Sequence, residues 1–120
     1  VDAYNGDAVP YHLATTEAFR LYRDRLAPDG ILAVHVSNWH IDLLPLCKAV
    51  ARELGLALYG VVGVNENSVT AGSIWVCLTR QPFDYRYPGK SLVREVIWPN
   101  IDDIPAPTDE KGSLVGLLRL

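Results

Sequence analysis

The chain has 120 residues, 49% of them apolar and 21% charged, with a formal net charge of −3. This composition excludes disordered and fibrous classes and fits a single domain large enough to bury a core. The mildly acidic balance argues against a nucleic-acid surface, and every apolar run falls far short of the ~20 residues needed to cross a bilayer. Cys47 and Cys77 show neither CxxC spacing nor clustering with His, so they read as reduced core thiols of a cytosolic protein, and no metal is expected.

The chain opens on Val1-Asp2-Ala3-Tyr4-Asn5-Gly6-Asp7-Ala8-Val9-Pro10-Tyr11-His12-Leu13, an apolar start that releases carboxylates, a Gly-Asp pair and a Pro ahead of a helical pattern. This is the pattern of a buried strand ending in a loop, and in an open α/β sheet ligands bind outside the carboxyl ends of the strands. A strand at residue 1, with no turn or cap before it, reads as the middle of a domain. The chain is therefore expected to be the C-terminal half of something larger, and the absence of an initiator Met and of a signal-peptide pattern points the same way.

Thr15 or Thr16 can cap a helix that keeps Ala18, Phe19, Tyr22 and Leu26 on one face and most of Arg20, Arg23, Asp24 and Arg25 on the other. The Arg cluster reads as a solvated face. Pro28-Asp29-Gly30 ends the helix, and residues 31–38 form a nearly continuous apolar run, the signature of a strand covered on both faces in a parallel sheet. A second carboxyl-end loop follows at Ser37-Asn38-Trp39-His40. Asp42 is the candidate N-cap of the next helix, which tolerates Pro45 in its first turn, buries Leu43, Leu46, Cys47, Val50 and Leu54, and stops at Gly55. Residues 56–64 form the third strand. The connection at 65–73 is too short for a crossover helix, so residues 74–79 must return antiparallel as a hairpin. The fold expected is α/β, two βα units followed by an antiparallel β-hairpin, over residues 1–80. Residues 81–120 form a Pro-rich extension ending in a short apolar helix packed on the same domain.

The opening run Asp2-Ala3-Tyr4-Asn5-Gly6-Asp7-Ala8-Val9-Pro10, with His12-Leu13, Glu17-Ala18-Phe19 and residues 26–38, resembles the spermidine synthase family. The likeness is to its atypical branch, in which the domain is often fused behind a membrane transporter-like region. It continues through Ile41-Asp42-Leu43-Leu44-Pro45 and ends at Thr108-Asp109-Glu110, a variant of a Trp-Thr-Asp-Asp motif. The resemblance implies an S-adenosylmethionine methyltransferase-like (Rossmann-like) sheet whose last two strands form an antiparallel pair. This chain would hold the fourth to seventh strands, and the Gly-rich nucleoside-binding turn would lie upstream. No GxGxG occurs in the sequence. The implied activity is aminopropyl transfer from decarboxylated S-adenosylmethionine to a diamine in the intact protein, with this segment inactive alone. The intact protein is then cytoplasmic or tethered by its transporter-like region, and this segment itself touches neither membrane nor nucleic acid.

By the same resemblance Asp2 matches the family's catalytic Asp, a general base and amine anchor, and Asp2 with Ala3 faces the cofactor. Tyr4, Asn5, Asp7 and Trp39 are the substrate-binding candidates. The family's second Asp falls on Asn5, with Asp7 two residues later as a substitute, although Asn5-Gly6 is a strong turn dipeptide and Asp7 can equally cap that turn. The family's polyamine-site Tyr would fall near Val69, and no Tyr lies between Asn65 and Ser73. His35 reads as a hydrogen-bonded core imidazole, while His12 and His40 flank the cleft. Two alternatives stay open: a small-molecule methyltransferase using S-adenosylmethionine, and a non-catalytic polyamine-binding module. A fourth strand without its neighbour leaves a sheet edge that the rest of the domain or a second copy must cover, so a homo-oligomer is expected.

Overall fold

The computed structural model describes residues 10–37, 42–62, 73–82 and 104–110. After a 3-10 turn at Tyr11–Leu13 the described elements are helix α1 (Thr16–Arg25), strand β1 (Leu32–His35), helix α2 (Leu44–Leu54) and strands β2 (Ala57–Val62) and β3 (Ile74–Thr79). The expected strand at residues 1–4 and the terminal helix near 114–118 lie outside the described residues.

Local chemistry accounts for the helix limits. The Thr15 hydroxyl accepts from the Ala18 amide at 3.4 Å, satisfying one of the amides that a helix start leaves unpaired. At the other end of α1 the Arg80 guanidinium, reaching over from the end of β3, donates to the carbonyls of Arg23 (2.6 Å) and Leu26 (3.2 Å), placing a cation at the negative pole of the helix. The N-cap of α2 is Leu43 and not Asp42 as expected; Asp42, one residue earlier, accepts from the Leu44 amide at 3.1 Å, and Pro45 falls in the first turn, where its missing amide costs nothing. Gly55 ends α2 in the left-handed conformation at φ +66°.

The three strands lie in the order β1-β3-β2, with β3 antiparallel to both neighbours. The hairpin of β2 and β3 follows the expectation from loop length. The parallel pairing expected for β1 is not found among the described residues, where its partner is the antiparallel β3. An apolar run reports that both faces of a strand are covered and carries no information on the direction of its neighbour. β1 and β2 do run parallel to each other, separated by the inserted strand.

Alternation along the strands divides the sheet into two faces. Val34, Val36, Val76 and Leu78 join Phe19, Leu43, Leu46, Cys47, Val50 and Ala51 in one buried cluster, with Leu32, Leu58 and Ile74 packed at its margin. Both helices therefore cover the same face. The residues in between, Ala33, His35, Tyr59, Val61, Trp75 and Cys77, form the opposite face and are half-buried. Residues 104–110 run over the helical layer, where Ile104 packs against the core and Pro107 is buried. Among the described residues no helix is long and apolar enough to cross a membrane.

Candidate functional site

Asp2, Ala3, Tyr4, Asn5, Asp7 and Trp39 lie outside the described residues, as do His40 and residues 65–72 around Val69. The described residues next to these positions in sequence are Pro10 and the 3-10 turn after the acidic stretch, and the carboxyl end of β1 ahead of residue 38.

Pro10 leads into the 3-10 turn, whose Leu13 and Ala14 amides bond back to the Pro10 and Tyr11 carbonyls at 3.0 and 2.9 Å. The Tyr22 phenol, in the second turn of α1, donates to the Leu13 carbonyl at 3.2 Å and packs edge-on against Phe19 at 5.6 Å between ring centroids. The start of α1 is also held from the far end of the chain. The Pro107 carbonyl accepts from both the amide and the hydroxyl of Thr16, each at 2.7 Å. The Thr15 hydroxyl donates to Asp109 Oδ1 at 2.7 Å, the Asp109 amide donates to Glu17 Oε2 at 3.1 Å, and the Tyr11 phenol donates to the Thr108 carbonyl at 2.8 Å. Burial raises the Tyr11 phenol above its ordinary value of 10.0, and the carboxylates of Asp109 and Glu17 raise it further, so Tyr11 stays a hydrogen-bond donor. Farther along, the Arg52 guanidinium donates to the Ile104 carbonyl at 3.1 Å. The Thr-Asp-Glu motif is legible in the sequence, but its bonding to Thr15 and Glu17, more than ninety residues away, leaves no local signal.

At the carboxyl end of β1 the Val36 amide donates to the Ile74 carbonyl at 3.0 Å, and the Ser37 hydroxyl accepts from the Ile74 amide and donates to its carbonyl. Ser37 is thus committed to joining the end of β1 to the start of β3. His35 corrects the expectation of a core imidazole. The alternation that sends Val34 and Val36 into the core turns His35 to the opposite face, where it stacks on Trp75 with ring centroids 4.7 Å apart and planes 24° apart. His12 is exposed on the 3-10 turn.

The two cysteines are free. Burial, reinforced by the Asp42 carboxylate, pushes the Cys47 thiol up to about 12, so it is a core side chain and not a nucleophile at neutral pH. Cys77 is also raised by burial, but it lies half-buried on the His35 face and not in the core as expected. Among the described residues no group of three or more His, Cys, Asp or Glu side chains is placed to hold a metal ion. No family model, curated protein or solved structure matches the chain.

Proposed function

We propose that this chain is the C-terminal half of a spermidine synthase-like transferase, which in its intact form moves an aminopropyl group from decarboxylated S-adenosylmethionine to a diamine. The observation that carries the reading is the run Asp2-Ala3-Tyr4-Asn5-Gly6-Asp7 followed by residues 26–38. The antiparallel pair β2 and β3, closing a unit in which β1, α2 and β2 succeed one another, agrees with the pair of last strands that the resemblance implies for a methyltransferase-like sheet.

In this chemistry a diamine nitrogen attacks the methylene beside the sulfonium. A C–N bond forms, the C–S bond breaks, and the sulfur leaves as a neutral thioether. The nitrogen must first be free of its proton, and a carboxylate serves both as anchor for the cationic diamine and as acceptor for that proton. Asp2 is the residue proposed for this role, with Tyr4, Asn5, Asp7 and Trp39 as the candidates for binding the amine. The chain has no GxGxG sequence to cradle the nucleoside, so Asp2 and Ala3 would meet a cofactor held mainly by other residues of the intact protein.

The test is calorimetric titration of the intact protein with decarboxylated S-adenosylmethionine, S-adenosylmethionine and putrescine, together with a turnover assay of the wild type and Asp2→Asn. Binding of the decarboxylated cofactor and diamine, with turnover lost in the folded variant, is the expected result. Binding of S-adenosylmethionine alone would replace this reading with a methyltransferase. Polyamine binding without turnover would replace it with a binding module.

A further inference from the structure

We infer that residues 104–110 form a strap that opens and closes as one unit, releasing the start of α1 while the sheet stays folded. The strap has no regular secondary structure, so its position is set by what it touches. It runs between two helix ends. At one end the Ile104 carbonyl accepts from Arg52, in the last turn of α2, and the Ile104 side chain packs at the margin of the core. At the other the Pro107 carbonyl takes both the amide and the hydroxyl of Thr16, and the Thr108 carbonyl takes the Tyr11 phenol. Asp109 takes the Thr15 hydroxyl on its carboxylate and gives its amide to Glu17. Pro105 and Pro107 have no amide to donate, and a groove that reads carbonyls suits such a segment.

Stiffness makes the strap one unit. Ile104 and Ala106 each precede a proline, which keeps them extended, and the rings of Pro105 and Pro107 hold their own φ at about −65°. Four successive residues thus have little freedom, and a displacement at Ile104 carries through to Pro107 and Asp109. On the helix side Thr15 and Thr16 are 0% and 4% exposed, so their hydroxyls and the Thr16 amide lose their partners together when the strap leaves. Burial separates this unit from the sheet. Val76 and Leu78 on β3 are 0% exposed and lie between two strands, whereas Pro105, Asp109 and Glu110 are exposed and Pro107 alone of the seven strap residues is buried. Local opening is easiest where few apolar groups are covered and hydrogen bonds face water, which describes the strap and not β3.

The experiment is amide hydrogen exchange on the intact wild-type protein, Ile104→Ala and Asp109→Ala, read at the Thr16 and Asp109 amides with the amides of β3 as reference. In the wild type both reporter amides are expected to exchange faster than β3. Ile104→Ala trims a side chain that bonds neither reporter, and is expected to speed exchange at both by about tenfold or more and by equal factors, with β3 within about twofold of wild type. Asp109→Ala acts from the opposite end and is expected to speed the Thr16 amide while leaving β3 unchanged. Reporter amides unmoved in Ile104→Ala show contacts that act one by one, and overturn the single unit. Wild-type reporters as slow as β3, or β3 accelerated as much as the reporters in both variants, show a strap that opens only with the whole fold, and overturn its independence.

Discussion

Leu78 and Cys77 are neighbours on the central strand whose truncations should differ sharply in cost. Leu78 lies opposite Leu32 and Leu58 and is 0% exposed in the core, whereas Cys77 lies between Ala33 and Tyr59 on the half-buried face. Leu78→Ala removes three carbons from a site walled by strands on both sides and helices above, where collapse is hindered, so a loss of about 3 kcal/mol is expected. Cys77→Ala removes one sulfur from a site that is already half-exposed, and the loss should stay below about 1 kcal/mol. Guanidinium denaturation followed by far-UV circular dichroism measures both. At roughly 4 °C per kcal/mol for a domain of this size, the melting temperature should fall by about 12 °C in the first variant and by less than about 4 °C in the second. Equal losses, or the reverse order, would refute the argument. A slip of one residue in the pairing of β3 exchanges the two faces of the strand, and only that register error would make Cys77 the core residue.

The Cys47 thiol gives a pH dependence of known sign. Its folded pKa of about 12 lies above the ordinary 9.0, so the folded state keeps a proton that the unfolded state loses, and stability declines as pH rises from 9.0 towards 12. Urea midpoints at pH 8 and 10 should show the wild type losing about 1 kcal/mol more than Cys47→Ala over that interval. Gly55→Ala should cost about 1–2 kcal/mol through backbone strain alone, because the space around its missing Cβ is open while φ is +66°. Gly55→Asn should recover part of that loss in thermal unfolding, since Asn tolerates the left-handed region.

The helices were legible from local chemistry. Thr15 and Gly55 mark the start of α1 and the end of α2 by a short-range hydrogen bond and backbone preference, the start of α2 falls one residue after the expected cap Asp42, and the helical repeat of Phe19, Leu46 and Val50 names the buried stripe. The pairing of β2 with β3 was legible because residues 63–73 leave too little chain for a crossover. The insertion of β3 between β1 and β2 was not, since an uncharged strand such as Ile74–Thr79 can take any interior place in a sheet, and the choice is made by tertiary packing. The side assigned to His35 failed for a related reason. A continuous apolar run hides the two-residue alternation that decides which face each side chain takes. Of the candidate site, residue types and spacing were legible, but not the tie between Thr15 and Asp109, because a contact across 94 positions leaves no periodicity to read.

The insertion of the last strand also bears on how the chain is made. Among the described strands Ile74–Thr79 lies between β1 and β2, so a nascent chain that has emerged through Val62 has both of these neighbours and no described strand to bridge them. The three described strands join only when the middle one arrives, at β1 contacts 40–46 residues apart in sequence, a placement that delays their ordering until late in synthesis. A chain cut ahead of Ile74 would therefore keep β1 and β2 but lose the described strand whose backbone bonds both of them.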